Sequence, residues 1–395
     1  MTNELRHTPK LRLLSAFLAV AMTLTTLPAA AFAADVTDYE LAVNGKRVTS
    51  ANATNILDDG KASYDADTRT LTLSGDISVT DNAVNPFGKQ LTVTGKSTVT
   101  GAQRDRYAGF YSGGEPIKVA ADADITLDTF GFGINAMGAD ISGNMKICNA
   151  EYGVNGMGAT VESGGKLIIQ NADNAVSGGG ANVHGTLEID EAGTAVDGSG
   201  VTVHPGGVVT ITGATSGLNG GSAVKGSLSV SAKTCIDNGA VIFKSGTLKL
   251  DSTSGNFIKL GESNLTVNAP NFWYRTAKDG AWTSVTGSSW TRPDDAVYFE
   301  ITTNAPTTTH YTVTFDLNGG TSWGTNDSWI SQSGGKWNDS HDQVSFATDS
   351  FITQTGGTGE GLSINVGTGM GPEREGYTFV GWYTAAVGGE PVENQ

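Results

Sequence analysis

The sequence predicts an all-β chain: a right-handed parallel β-helix of about 20 residues per coil, followed by a small C-terminal β-rich repeat domain. Three observations carry this. Short apolar alternations recur in step at Ile125–Leu127, Met145–Ile147, Leu167–Ile169, Leu187–Ile189, Val209–Ile211, Leu228–Val230, Leu248–Leu250 and Leu265–Val267. A second register keeps step with them, at Gly133–Asn135, Gly153–Asn155, Ala175–Ser177, Ala195–Asp197, Gly217–Asn219 and Cys235–Asp237. Fixed self-similarity of this length marks a solenoid. The composition also changes where the repeat fades, because all 7 tryptophans lie from Trp273 onward.

Residues 1–33 read as a signal peptide. Arg6, Lys10 and Arg12 precede the apolar run Leu13 to Leu27, and Ala31-Phe32-Ala33 supplies a small-residue cleavage site. The run is too short to span a bilayer well, and nothing downstream reaches that length. Residues 34–70 form the leader or cap of the solenoid, and 71–270 the β-helix, which begins with Leu71–Leu73 and Leu91–Val93. An irregular coil is expected across Gly101–Pro116. Each unit holds three strand-sized pieces, such as Thr186–Asp190, Thr194–Asp197 and Val201–His204, separated by small residues. Alternate side chains of such strands point into a narrow core. In the second register, stacking gives a buried aliphatic column beside an Asn/Asp/Ser column that satisfies turn backbone groups. Residues 271–302 are a β capping segment rich in aromatics, 303–310 a polar linker, and 311–395 a separate module.

That module carries Tyr311-Thr312-Val313-Thr314-Phe315-Asp316-Leu317-Asn318-Gly319-Gly320, then Arg374-Glu375-Gly376-Tyr377-Thr378-Phe379-Val380-Gly381-Trp382-Tyr383 and Gly388-Gly389-Glu390-Pro391-Val392. It resembles the internalin B-repeat (Listeria–Bacteroides repeat) family, a small β-rich module of bacterial surface proteins. Thr321–Gly371 is a longer insertion than the family usually has, and its closing strand is missing, so the module is expected to be truncated. The stretches Tyr39–Thr49 and Ser63–Leu73 resemble a leader found ahead of β-helices in large secreted proteins of gut bacteria. The solenoid is similar to the pectate-lyase-like superfamily at the level of fold, which does not give function.

The formal net charge of −16 becomes about −18 without the signal peptide, which argues against nucleic acid and anionic membranes as partners. Cys148 and Cys235 fall about four coils apart, roughly 19 Å at the strand spacing. That is outside disulfide reach.

Lyase chemistry of the pectate type needs acidic residues clustered on adjacent coils to hold calcium, with a base beside them. The outward columns Thr126, Lys146, Ile168, Glu188, Thr210, Ser229, Lys249 and Asp128, Cys148, Gln170, Asp190, Thr212, Ser231, Asp251 stack no two carboxylates on neighbouring coils. Glu188 and Asp190 share one strand face at roughly 6–7 Å, a spacing that overlaps glycosidase carboxyl pairs. A single such pair is also ordinary on a β-surface. No cofactor is expected; calcium stays an open alternative, although no ligand cluster for it is seen in these columns.

Two binding candidates remain. Ser142, Glu162, His184, His204, Lys225 and Lys244 occupy one step of successive coils. His184, His204, Lys225 and Lys244 are either a cationic stripe for an acidic glycan, a two-histidine transition-metal site, or a solvated edge. Trp323, Trp329 and Trp337 are either sugar-stacking rings or the core of the insertion. The expected function is a secreted or cell-surface adhesin that binds glycan or protein without catalysis, monomeric and outside the cell. The alternatives are a polysaccharide lyase or glycosidase, and a purely structural envelope protein.

Overall fold

The computed structural model describes residues 36–254, 263–278, 280–287, 290, 296–306, 312–320, 336–347, 374–378, 380, 383–385 and 387–390. The expected signal peptide, Trp323 and Trp329 lie outside the described residues. The chain divides into two compact units, one of residues up to Phe272 with Val285–Thr303, the other of Trp273–Ser284 with Asn304 onward.

The first unit is a β-solenoid of about nine turns, and every described element is a strand. Its three faces are parallel ladders. On the first, Val119, Ile141, Val161, Val183, Val203, Val224 and Phe243 align coil to coil. On the second, Leu127, Ile147, Ile169, Ile189, Ile211, Val230 and Leu250 align. The third aligns Ile134, Val154, Val176, Val196, Leu218 and Ile236. These side chains are no more than 1% exposed, so each contributes about 1.5–3 kcal/mol of apolar burial. Both registers read from the sequence are therefore the inner columns of the solenoid.

The corners are built differently from one another. Between the second and third faces, Thr129, Asn149, Asn171 and Glu191 take left-handed backbone with φ of 61, 51, 53 and 54°. Asn149 Nδ2 donates to Asp128 Oδ1 at 2.7 Å and Asn171 Nδ2 to Asn149 Oδ1 at 2.6 Å. Asparagine suits this corner because its short amide tolerates that region and bonds to its neighbour. After the third face comes the expected polar ladder, with Ser177 Oγ donating to Asn155 Oδ1 and Asn219 Nδ2 to Asp197 Oδ1, both at 2.8 Å. Its last rung differs from expectation: a register shift pairs Asn219 with Asn238 in place of Asp237.

Antiparallel strands close both ends. Asp38–Val43 pairs with Val84–Asn85, and Ala62–Asp65 with Thr70–Leu73. At the other end Tyr298–Thr302 runs antiparallel along Thr247–Asp251. Phe299 and Ile301 are fully buried there, and Trp290 lies 5.8 Å from Phe272 and 6.0 Å from Phe299 between ring centroids. Trp290 is thus part of the cap core. The irregular coil is a loop at residues 102–107 that lies against the second–third corner, where Arg104 Nη2 donates to Ala150 O at 3.0 Å and Asp173 Oδ1 at 2.7 Å.

In the second unit Thr312–Asp316, Gln343–Ala347 and Lys336–Trp337 form a three-stranded antiparallel sheet with the second of these central. Asn318 and Gly319 turn with φ of 49 and 82°, and Asn318 N donates to Asp316 Oδ1 at 2.8 Å.

Candidate functional site

The corner between the first and second faces carries the residues singled out by spacing. Backbone N–H groups of Ser142, Glu162, His184, His204, Lys225 and Lys244 each donate to the valine or isoleucine carbonyl one coil earlier, at 2.8 to 3.0 Å. The six residues therefore form one ridge along the solenoid axis. Glycines follow it at Gly143, Gly165, Gly185, Gly207, Gly226 and Gly246, and a Cβ at Gly165 meets Ile141 O at 2.2 Å. The tight backbone approach at this corner leaves no room for a side chain at these glycines.

His184 and His204 stack with ring centroids 3.8 Å apart and planes at 10°. Burial lowers the His204 pKa below its ordinary 6.5, helped by His184 and Lys225. Near-parallel imidazoles present parallel lone pairs, whereas a shared transition metal needs them convergent at about 2.0–2.1 Å. This pairing disfavours a two-histidine metal site. Lys225 and Lys244 are exposed, and neither makes an ion pair among the described residues. They supply the positive charge of the ridge, and Glu162, one coil before His184, adds a negative one.

The Glu188–Asp190 pair is already engaged: Lys166 Nζ lies 2.9 Å from Glu188, and Thr212 Oγ1 donates to Asp190 Oδ1 at 2.7 Å. Sequence reasoning examined the second face and missed Asp140 on the first. Asp140 aligns with Lys118 of the preceding coil, and burial raises its pKa, with Glu162 adding to the rise. The signal was available, since the first-face outward column reads Lys118, Asp140, Thr160 at steps of 22 and 20 residues. No group of three or more His, Cys, Asp or Glu that suits a metal occurs among the described residues.

Both cysteines are free. Cys235 is buried, and that burial pushes its thiol pKa up to about 12; burial also raises Cys148. Trp337 is half-buried and stacks on His341 at 4.7 Å and 12°, so one ring face is already covered. Arg374 Nη1 donates to Asn318 O at 2.6 Å and its guanidinium lies 4.1 Å from the Tyr377 ring centre, which links the two motifs of the C-terminal module. Residues 343–395 match the Listeria-Bacteroides repeat domain (List_Bact_rpt). The matched residues take in the Arg374–Tyr383 and Gly388–Val392 motifs, while Tyr311–Gly320 precedes them. Within that repeat, Gln343–Ala347 is the central strand of the sheet. No curated protein and no solved structure matches the chain.

Proposed function

We propose that this chain is an exported bacterial surface protein whose solenoid is a rigid platform that binds an acidic glycan, without catalysis and without a cofactor. The carrying observation is the corner ridge: two exposed, ion-pair-free lysines, Lys225 and Lys244, sit on adjacent coils beside the His184–His204 stack. Adjacent coils stand about 4.8 Å apart, a spacing at which two ammonium groups engage carboxylates or sulfates of one polysaccharide chain. The protein is acidic overall, but at physiological salt charges beyond about 8 Å are screened. Contact-range lysines therefore decide whether a polyanion adheres. The Listeria-Bacteroides repeat supports placement at a bacterial surface, and the N-terminal leader supports export.

The test is binding of the chain to immobilised polygalacturonate and to a sulfated glycosaminoglycan at low and high salt. Lys225→Glu with Lys244→Glu is expected to weaken retention by about tenfold or more, since each contact is worth roughly 0.5–1 kcal/mol and reversal adds repulsion. Equal retention of that variant would remove the ridge from the reading.

A second reading, a polysaccharide lyase or glycosidase, is favoured by Asp140, a carboxyl with raised pKa beside Lys118. Unsaturated or reducing-end products released from polygalacturonate with calcium would establish it in place of the first.

A further inference from the structure

The third face carries an aromatic stack that ends abruptly. In register, one column runs Ala108, Phe132, Tyr152, Asn174, Thr194, Ser216; its four middle members are partly exposed, while Ala108 and Ser216 are buried. Phe132 and Tyr152 stack with ring centroids 5.1 Å apart and planes at 12°, and both are half-buried. The next residue in step is Asn174, which carries no ring to continue the stack. The Tyr152 ring thus has one face on Phe132 and its other face on a shelf above a short amide.

Two polar groups of that shelf are unengaged among the described residues, and a third is held in an ion pair. Neighbouring asparagines are locked in ladders, Asn155 to Ser177 and Asn149 to Asn171. The Asn174 amide and the Thr194 hydroxyl, by contrast, make no side-chain hydrogen bond among the described residues. Asp173, whose side chain is 61% exposed, is held at the shelf edge by Arg104 at 2.7 Å, so the 102–107 loop forms a wall beside it. An aromatic face with amide, hydroxyl and carboxylate groups at its margin matches a pyranose ring, which offers an apolar C–H face and equatorial hydroxyls. An apolar peptide side chain would use the ring and leave Asn174 and Thr194 unsatisfied.

We infer that Tyr152, Asn174, Thr194 and Asp173 form a subsite for a neutral hexopyranose or pentopyranose unit of a glycan chain. The subsite is separate from the corner ridge, which takes charge and lies between the other two faces. It stands whether or not the acidic-glycan reading does.

The experiment is isothermal titration of the chain with cellohexaose, xylohexaose and mannohexaose, followed by variants on whichever hexasaccharide binds. Tyr152→Ala is expected to weaken that binding by roughly two- to twelvefold, the equivalent of the 0.5–1.5 kcal/mol of a stacking contact. Tyr152→Phe keeps it within about threefold, and Asn174→Ala lowers it by roughly fivefold through one lost hydrogen bond. Circular dichroism checks that each variant keeps its β signal. Lys225→Glu is expected to leave neutral-sugar binding unchanged. The inference is overturned if none of the three hexasaccharides binds, or if Tyr152→Ala binds as the parent does while folded. Binding lost with Lys225→Glu but kept with Tyr152→Ala would place the sugar on the ridge.

Discussion

Single residues at the corners decide whether a coil can close. Gly178 has φ of +82°, and a Cβ there meets Gly156 O at 2.1 Å, so Gly178→Ala suffers both a strained backbone and a backbone clash. The expected cost is about 2 kcal/mol or more, read as a fall in the urea midpoint; an unchanged midpoint would show that the corner yields freely. His204 makes a second residue-scale case. Its folded pKa lies below 6.5, so around that pH the unfolded chain binds more protons than the folded one. Stability therefore rises with pH through this window and is lost as pH falls below about 6.5. An NMR titration is expected to place His204 below that value, and Lys225→Ala to move it upward. A His204 titration at or above 6.5 would contradict the stacked, partly desolvated ring.

At the scale of the element, strict periodicity made the three inner columns legible from the residues, because burial in a parallel ladder forces the same side-chain class at the same step. The ridge was legible for the same reason. Two features were not. The Asn149–Asn171 corner depends on a backbone conformation that the residue type permits without announcing. The Phe132–Tyr152 stack was missed because alignment began at Gly133 and Gly153; one residue earlier, the column of Phe132, Tyr152, Asn174 and Thr194 stands in plain view. Cap strands escape periodic reasoning altogether, since an antiparallel strand belongs to no repeat. The Asn149 rung offers a test. Asn149→Ala removes a donor to Asp128 and an acceptor for Asn171 at φ of 51°. It is expected to lower stability by about 1–3 kcal/mol, with Asn149→Asp recovering part of the loss at acid pH.

For the molecule as a whole, closure of the ends matters more than any one rung. A solenoid exposes the unpaired N–H and C=O groups of its terminal coils, and open edges template pairing with other chains. Here Tyr298–Thr302 covers the ladder at Thr247–Asp251. Phe299→Ala, which empties a fully buried site in that strand, is expected to cost about 3–5 kcal/mol and to produce concentration-dependent association in sedimentation runs. A monomeric variant would show that the edge stays covered without that side chain.

The antiparallel strands at the two ends have one more consequence. Apart from the 102–107 loop, whose Arg104 reaches Asp173, the strand ladders join each coil to its immediate neighbours, so the end strands do not sense how many coils lie between. Whole coils can then be duplicated or lost in evolution while the same two ends continue to fit. Each such event lengthens or shortens the protein by about 4.8 Å, and every coil added extends the outward columns by one position. The length of the solenoid and the number of positions in each of its columns would then change together, one coil at a time.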